Sequence, residues 1–346
     1  MNVPETMLAA VLYKPEDIRI EKRNIQKPGP RDVLIRVKAC GICGTDSHIY
    51  HGRFPAPNLP YIQGHEFSGE VAAIGSEVNF VKVGDRVTAD INMSCGKCYF
   101  CRMGQKLFCP DIKQIGVHID GAFAEYITVP EDQIHHLPDN LSWEFGAYVE
   151  PLACVLSGQG RINIQPGSTV AIIGAGPMGL AHTIMSNLKG AAKVITSETE
   201  PWRQKKADKL GADVVIDANS KDPVDMVKKE TQGRGADYVI EAVGSIPTYT
   251  QAFKMVRRGG SLLVYGAAPA NEEMSIKPFD IYSKELTIVS SYAGTYQTWT
   301  QAISLLSSGK FDPSEIITDR IPLSDVVKGI KSISSDRKKL KIMVIP

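Results

Sequence analysis

The stretch Ser168-Thr-Val-Ala-Ile-Ile173, running without a break into Gly174-Ala-Gly-Pro-Met-Gly179, decides the fold. Its β-branched and small apolar residues read as a buried strand, and the glycines follow in a G-x-G-x-x-G pattern that opens a helical stretch through Lys189. The glycine spacing alone is weak, but strand, glycines and helix in that order form a dinucleotide-binding turn. Gly174 permits the tight turn, Gly176 lets backbone amides approach a pyrophosphate, and Gly179 lets helix and strand pack closely. Pro177 and Met178 begin the helix, whose N-terminus carries partial positive charge.

Working outward, strands alternate with helical stretches at Lys193 to Ser197, Val214 to Ile216, Asp237 to Ala242, Ser261 to Tyr265 and Leu286 to Ser291. With the first strand these make six, the number in a doubly wound parallel sheet, so residues 153–293 are expected to form a Rossmann-type domain. Glu198 lies 19 residues after Gly179, at the end of the second strand. A carboxylate there accepts from both ribose hydroxyls and repels a 2′-phosphate, which favours NAD over NADP. Arg203 nearby could accommodate a phosphate, stack on the adenine or simply be solvated.

Upstream, Met7 to Tyr13, Asp17 to Arg23, Val33 to Ala39, Gly69 to Ile74 and Arg86 to Ile91 are short β-rich runs separated by turn signals. Downstream, a helical stretch from Trp299 to Ser308 and a last strand, Lys339 to Ile345, are expected to return to that β-rich unit. Residues 1–152 and 294–346 then form one domain, with Arg337-Lys338-Lys339 as a solvated helix end. Two domains suit 346 residues.

Composition narrows the function class. Lys plus Arg number 39 against 38 for Asp plus Glu, so no basic excess draws the chain to nucleic acid or anionic membrane. No window is apolar enough for a membrane span and no secretory signal opens the chain, so it is expected to stay in the cytoplasm. Seven cysteines, an odd number in a reducing compartment, read as metal ligands or buried thiols. Four of them, Cys95, Cys98, Cys101 and Cys109, follow C-x2-C-x2-C-x7-C in loop-like sequence. Four thiolates close a tetrahedral zinc with no open position, a structural site; an iron–sulfur cluster is the chemical competitor. Cys40 and Cys154 fit no ligand position and read as small buried residues.

Cys40-Gly-Ile-Cys-Gly-Thr-Asp-Ser-His48 and Gly64-His-Glu-Phe67 offer thiol, imidazole and carboxylate groups from separate segments. Together with the glycine turn and the cysteine lobe, in that order along essentially the whole chain, they resemble the zinc-dependent medium-chain alcohol dehydrogenase family. The Glu150-Pro-Leu segment is most similar to its polyol, sorbitol-like branch. The resemblance implies a GroES-like catalytic domain and two zincs per chain. Cys43, His65 and Glu66 would surround the catalytic zinc, and Glu150 would be a fourth ligand or hold its water. Three protein ligands plus an exchangeable position suit catalytic zinc, which acidifies a bound hydroxyl. Thr45 matches the family's relay hydroxyl and His48 its terminal base. Asp46 suits a carboxylate that orients the zinc-bound imidazole, although it could merely cap a helical turn.

The implied reaction is hydride transfer from a secondary alcohol, a polyol or sugar alcohol, to NAD. Where sorbitol dehydrogenases carry an Arg-Tyr pair after the last sheet strand, this chain has Ser291-Tyr292, which argues against sorbitol itself. Tyr50, Arg53, Phe54 and Tyr292 are candidates for the substrate wall, by proximity to the metal loop or by resemblance. L-threonine 3-dehydrogenase and a catalytically silent nucleotide-binding member are the alternatives. The edge strand Leu286 to Ser291 offers a ladder to a symmetry mate, so a homo-oligomer, dimer or tetramer, is expected.

Overall fold

The computed structural model describes residues 3–54 and 58–346. Contacts divide the chain into two units, Met1–Ala153 with Gly294–Pro346 and Cys154–Ala293. Along the chain the first unit contains β1 (Thr6–Lys14), β2 (Asp17–Asn24), β3 (Asp32–Gly41), α1 (Gly44–Tyr50), β4 (Tyr61–Ile62), β5 (Glu66–Ile74) and β6 (Arg86–Ala89). It continues with β7 (Asn92–Met93), α2 (Tyr99–Arg102), β8 (Lys113–Gln114), β9 (Tyr126–Pro130), β10 (Ile134–His136) and α3 (Trp143–Ala147). Helix α4 (Val149–Ile162) leads into the second unit, which holds β11 (Thr169–Ile173), α5 (Pro177–Leu188), β12 (Lys193–Glu198), α6 (Pro201–Lys209) and β13 (Val214–Asp217). There follow α7 (Pro223–Glu230), β14 (Ala236–Glu241), α8 (Ile246–Met255), β15 (Val256–Val264), α9 (Pro278–Lys284) and β16 (Thr287–Ser290). The chain then returns to the first unit with α10 (Tyr296–Ser307), β17 (Ile317–Pro322), α11 (Val326–Ser335) and β18 (Lys341–Ile345).

The second unit is a parallel sheet of six strands in the order β13-β12-β11-β14-β15-β16. That order reverses direction at β11, the switch point of a doubly wound sheet, where the glycine turn leaves the strand. Period-two alternation builds two cores. Ala171 and Ile173 of β11 pack with Val224 and Val227 of α7 and Phe253 of α8, whereas Val170 and Ile172 face Ile162, Val194 and Leu263 on the other side. Strand β15 starts at Val256, five residues before the expected Ser261. Its register against β14 shifts between the Ala236–Val256 and Tyr238–Ser261 pairs, and this irregularity falls on Gly259-Gly260, where the sequence reads as a turn.

In the first unit the sheet path is β10-β6-β5-β3-β18-β17, with β9 also paired to β3, and separate small sheets β2-β1-β4 and β7-β8. The final strand β18 lies between β3 and β17, antiparallel to β3 and parallel to β17. Its first residue is Lys341, and the basic run Arg337 to Lys339 is a turn beyond the end of α11 rather than the helix end itself. Among the described residues no helix is long and apolar enough to cross a membrane.

Candidate active site

Strands β3 and β5 run antiparallel with Cys40 opposite Phe67 and Gly41 opposite Glu66. Buried Val33, Ile35, Val37 and Ala39, at alternate positions of β3, favour that register, because a slip of one residue would turn them to the other face. The register brings Cys43, just past the end of β3, to His65 and Glu66 at the start of β5. One ligand atom from each of the three lies within 4.8 Å of the others. Strand β5 begins at Glu66 rather than at the expected Gly69, so the carboxylate is fixed by a ladder and not carried on a loop.

Cys43 also caps α1, with its backbone N–H donating to Asp46 Oδ2 at 2.8 Å. The other Asp46 oxygen lies 3.5 Å from His65 Nδ1, an ionic contact longer than a hydrogen bond. The carboxylate that caps the helix through one oxygen thus faces the imidazole with the other, and it is fully buried. Burial by itself favours a neutral His65, but the Asp46 charge, and after it Cys43, outweigh burial and hold the imidazole well above its usual pKa. Thr45 Oγ1 is 3.7 Å from Cys43 Sγ. His48, three residues further along α1 and so on the same helical face as Thr45, is exposed; partial burial, then Arg53 and His51, draw its pKa down from the usual value.

Glu66 is buried with both carboxylate oxygens 2.6 Å from Nζ of Lys341, which is itself buried. Glu150 is buried in the first turn of α4 and stands outside the close trio. Tyr50 is buried, and its hydroxyl donates to the Glu16 carbonyl at 3.2 Å; this expected wall residue anchors α1 to the β1–β2 turn instead. Arg53 is exposed, and Phe54 packs on a cluster of Leu12, Ile49, Tyr61 and Val117. In the second unit Tyr292 is exposed, and the Ser291 hydroxyl donates to Ser157 Oγ at 3.3 Å. Sequence reading passed over Lys341 and Tyr148, a buried tyrosine whose hydroxyl has no hydrogen-bond partner among the described residues. The usable signal for Lys341 was a lysine opening an otherwise apolar strand, Lys341-Ile-Met-Val-Ile345, since buried charge requires a partner.

The four lobe cysteines also gather, with ligand sulfurs within 4.8 Å of one another. The Ser94 hydroxyl, followed by Cys98, brings the Cys101 thiol down to about 6, so a thiolate is available at neutral pH. Lys106, between the third and fourth cysteines, reaches the fully buried Asp90 at 2.6 Å and ties the lobe to the sheet domain. Among the described residues these are the two groups of three or more ligand side chains gathered this closely. Their chemistry fits zinc in both of its modes, a mixed trio that leaves a position open and a closed set of four thiolates.

The glycine turn of the second unit fits a dinucleotide. Gly176 caps α5, and a Cβ placed there would meet nothing within 4 Å, so space lies open at the helix N-terminus. A Cβ at Gly179 would overlap the Gly174 carbonyl, which is why that position must be glycine. Pro177 and Met178 are half-buried in the first turn of α5, and Arg203 is half-buried in α6. Glu198 does more than was expected of it. Its Oε2 accepts from the Ala175 N–H at 2.7 Å, and its Oε1 accepts from the N–H groups of Thr199 at 2.7 Å and Glu200 at 2.9 Å. The carboxylate thus braces the glycine turn against the end of β12.

Known proteins resemble this chain along its length. Residues 29–139 match the family model of the alcohol dehydrogenase GroES-like domain, and residues 177–308 that of the zinc-binding dehydrogenases. Sorbitol dehydrogenase of Bacillus subtilis is 36% identical, covering 100% of this chain and 99% of its own. L-threonine 3-dehydrogenase of Caldanaerobacter subterraneus is 38% identical over 92% of this chain and 93% of its own. A crystal structure of a protein from Sinorhizobium meliloti, described as a zinc-binding dehydrogenase bound to NADP, superposes with a TM-score of 0.95 at 36% identity, covering 99% of this chain and 100% of that one. The chain belongs to the zinc-binding medium-chain alcohol dehydrogenases, with their GroES-like and Rossmann-type domains.

Proposed function

We propose that the protein oxidises a secondary hydroxyl of a polyol or sugar alcohol to a ketone and passes the hydride to NAD. The observation that carries this reading is the trio Cys43, His65 and Glu66, buried or half-buried, with a hydroxyl and an imidazole on the adjoining helix. Zinc held there supplies Lewis acidity that makes an alcohol easier to deprotonate, and NAD supplies the hydride acceptor. Asp46 steadies the His65 ring from its Nδ1 side and leaves Nε2 as the ligand atom. Glu150 is a fourth ligand or holds water at the site. Thr45 receives the substrate proton and His48 passes it on to solvent; with its pKa drawn down, His48 is neutral at pH 7 and able to accept.

The turn Gly174 to Gly179, with Pro177 and Met178, takes the pyrophosphate, and Glu198 the adenosine ribose, with Arg203 beside it. Arg53, Phe54 and Tyr292 contribute to the substrate wall. Edge strand β16, with Ile288 partly exposed, pairs with a second copy, so the working form is a homo-oligomer in the cytoplasm. The lobe cysteines Cys95, Cys98, Cys101 and Cys109 hold the second, structural zinc.

Full-length similarity, at 36% identity, to a protein named sorbitol dehydrogenase supports the polyol class, and Ser291 in place of an arginine points away from sorbitol itself. A relative named L-threonine 3-dehydrogenase, at 38% identity, keeps that amino acid as the second reading. The test is NAD reduction by zinc-replete protein across polyols, sugar phosphates, simple secondary alcohols and L-threonine. Turnover on one polyol group supports the proposal, turnover on L-threonine alone selects the second reading, and no turnover with two zincs bound defeats both.

A further inference from the structure

Two polar side chains are buried in the segment that leads into His65. Tyr61, the first residue of β4, packs among Leu12, Ile49 and Val117 and is 3% exposed, and Gln63 is 1% exposed. Tyr61 Oη and Gln63 Oε1 have no hydrogen-bond partner among the described residues, and Asp46 Oδ1 and His65 Nδ1 have only their 3.5 Å approach to each other. Asp46 connects the four. Its carbonyl accepts from Gln63 Nε2 at 3.2 Å, and its charge, after burial, holds the Tyr61 phenol well above its usual pKa, so that this hydroxyl keeps its proton. The backbone is bent to allow this convergence. Gly64, at φ +94°, turns the chain between Gln63 and His65 so that both side chains reach residue 46, and a Cβ there would lie 2.7 Å from the Phe123 ring. The Gln63 carbonyl accepts from the Phe123 N–H at 2.9 Å, which fixes the segment. Donors and acceptors balance: the Tyr61 hydroxyl and the Nδ1–H of a histidine that binds metal through Nε2 stand against Asp46 Oδ1 and Gln63 Oε1. Buried polar groups are costly unless they serve one another, and apolar residues of similar size would fill the same space without that cost.

We propose that Gln63 and Tyr61 are positioning residues of the first metal site, acting on His65 through Asp46. The inference rests on the reading of His65 as a zinc ligand. Gln63 ties the first turn of α1, through the Asp46 carbonyl, to the segment that carries the imidazole. Tyr61 supplies a neutral donor near the Asp46 charge, and together the two oppose rotation of that carboxylate away from Nδ1. The same turn of α1 holds Thr45 and leads to His48, so the tie also fixes these two relative to His65.

The test uses the full zinc-loaded chain with Gln63→Met, Tyr61→Phe, Asp46→Asn and the double variant Gln63→Met/Asp46→Asn. The readouts are the affinity of each zinc in competition with a chelator and the visible spectrum after cobalt(II) replaces the zinc of the first site. Cys43→Ser, expected to keep zinc in the cysteine lobe alone, identifies the lobe's share. Gln63→Met and Tyr61→Phe should each weaken zinc binding at the first site about tenfold and shift the cobalt bands, with the lobe unchanged. In the Asp46→Asn chain, Gln63→Met should add less than about twofold, because its effect passes through Asp46. Wild-type affinity and spectrum in both single variants overturn the proposal, and an effect in only one of them strikes the other residue from it. Equal weakening at both metal sites also overturns it, because residues that merely stabilise the fold would loosen the lobe along with the trio. A full effect of Gln63→Met in the Asp46→Asn chain refutes action through Asp46. Should Gln63→Met not fold, Tyr61→Phe, which removes only the hydroxyl oxygen, decides. A wild-type chain with zinc only in the cysteine lobe would defeat the functional reading and this inference with it, whereas two zincs and unaltered single variants would defeat this inference alone.

Discussion

His182 should make the second unit sensitive to mild acid. It lies on α5, is fully buried, and has Nδ1 3.3 Å from Gln159 Nε2 and its ring edge-on to Tyr265. Burial, reinforced by Lys189, pushes its pKa down to about 3, from 6.5. A histidine depressed on folding is neutral in the native chain while the unfolded chain already takes up a proton. Its contribution to stability is complete above the unfolded pKa and is lost as pH falls from there towards the folded value. Between pH 7 and pH 5 the loss depends almost wholly on the unfolded value, because the native histidine stays neutral across that interval. With an unfolded pKa near 6.5, it comes to about 2 kcal/mol. His182→Gln removes the titration and retains an amide able to face Gln159. Urea unfolding of both chains at the two pH values, followed by circular dichroism, compares how much each loses on acidification. Other histidines contribute equally to both chains and cancel. The variant should lose about 2 kcal/mol less than wild type, whatever its stability at pH 7. Equal losses in the two chains would refute the assignment of a buried neutral imidazole.

Three further outcomes distinguish the sites. Cys43→Ser should lower bound zinc by about one per chain and abolish turnover while Tm holds, whereas Cys98→Ser should lower Tm or assembly first; equal loss of folding in both would contradict one open and one closed site. Lys106→Met leaves the buried Asp90 carboxylate without its ammonium, though Lys106 is 23% solvent-exposed, so a destabilisation of about 2 kcal/mol is expected. No change in the urea midpoint would show that the lobe is not fastened through this pair. Glu198→Ala should reduce the preference for NAD over NADP, read as the ratio of kcat/KM values. Because the same carboxylate braces the Ala175 N–H, both affinities should also weaken; an unchanged ratio would reduce Glu198 to a brace.

The chain by itself determined what depends on local pattern. Strand, glycines and helix from Ser168 to Lys189 announce a dinucleotide turn because each residue's role is set by its immediate neighbours, and the six-strand sheet follows from alternation alone. The cysteine lobe is equally legible, since its four cysteines fall within 15 consecutive residues, Cys95 to Cys109. Tyr50 shows where proximity in sequence misleads. It sits beside the metal loop, yet on α1 it points inward and gives its hydroxyl to Glu16. Glu66 shows the same limit from the other side, for its partner is Lys341, delivered by a strand whose place beside β3 no local pattern encodes. Only the tertiary structure decides such pairings. A buried charge is tolerated only when a fold-wide register brings its counter-charge within hydrogen-bond distance, and that register is a property of the whole sheet rather than of either segment.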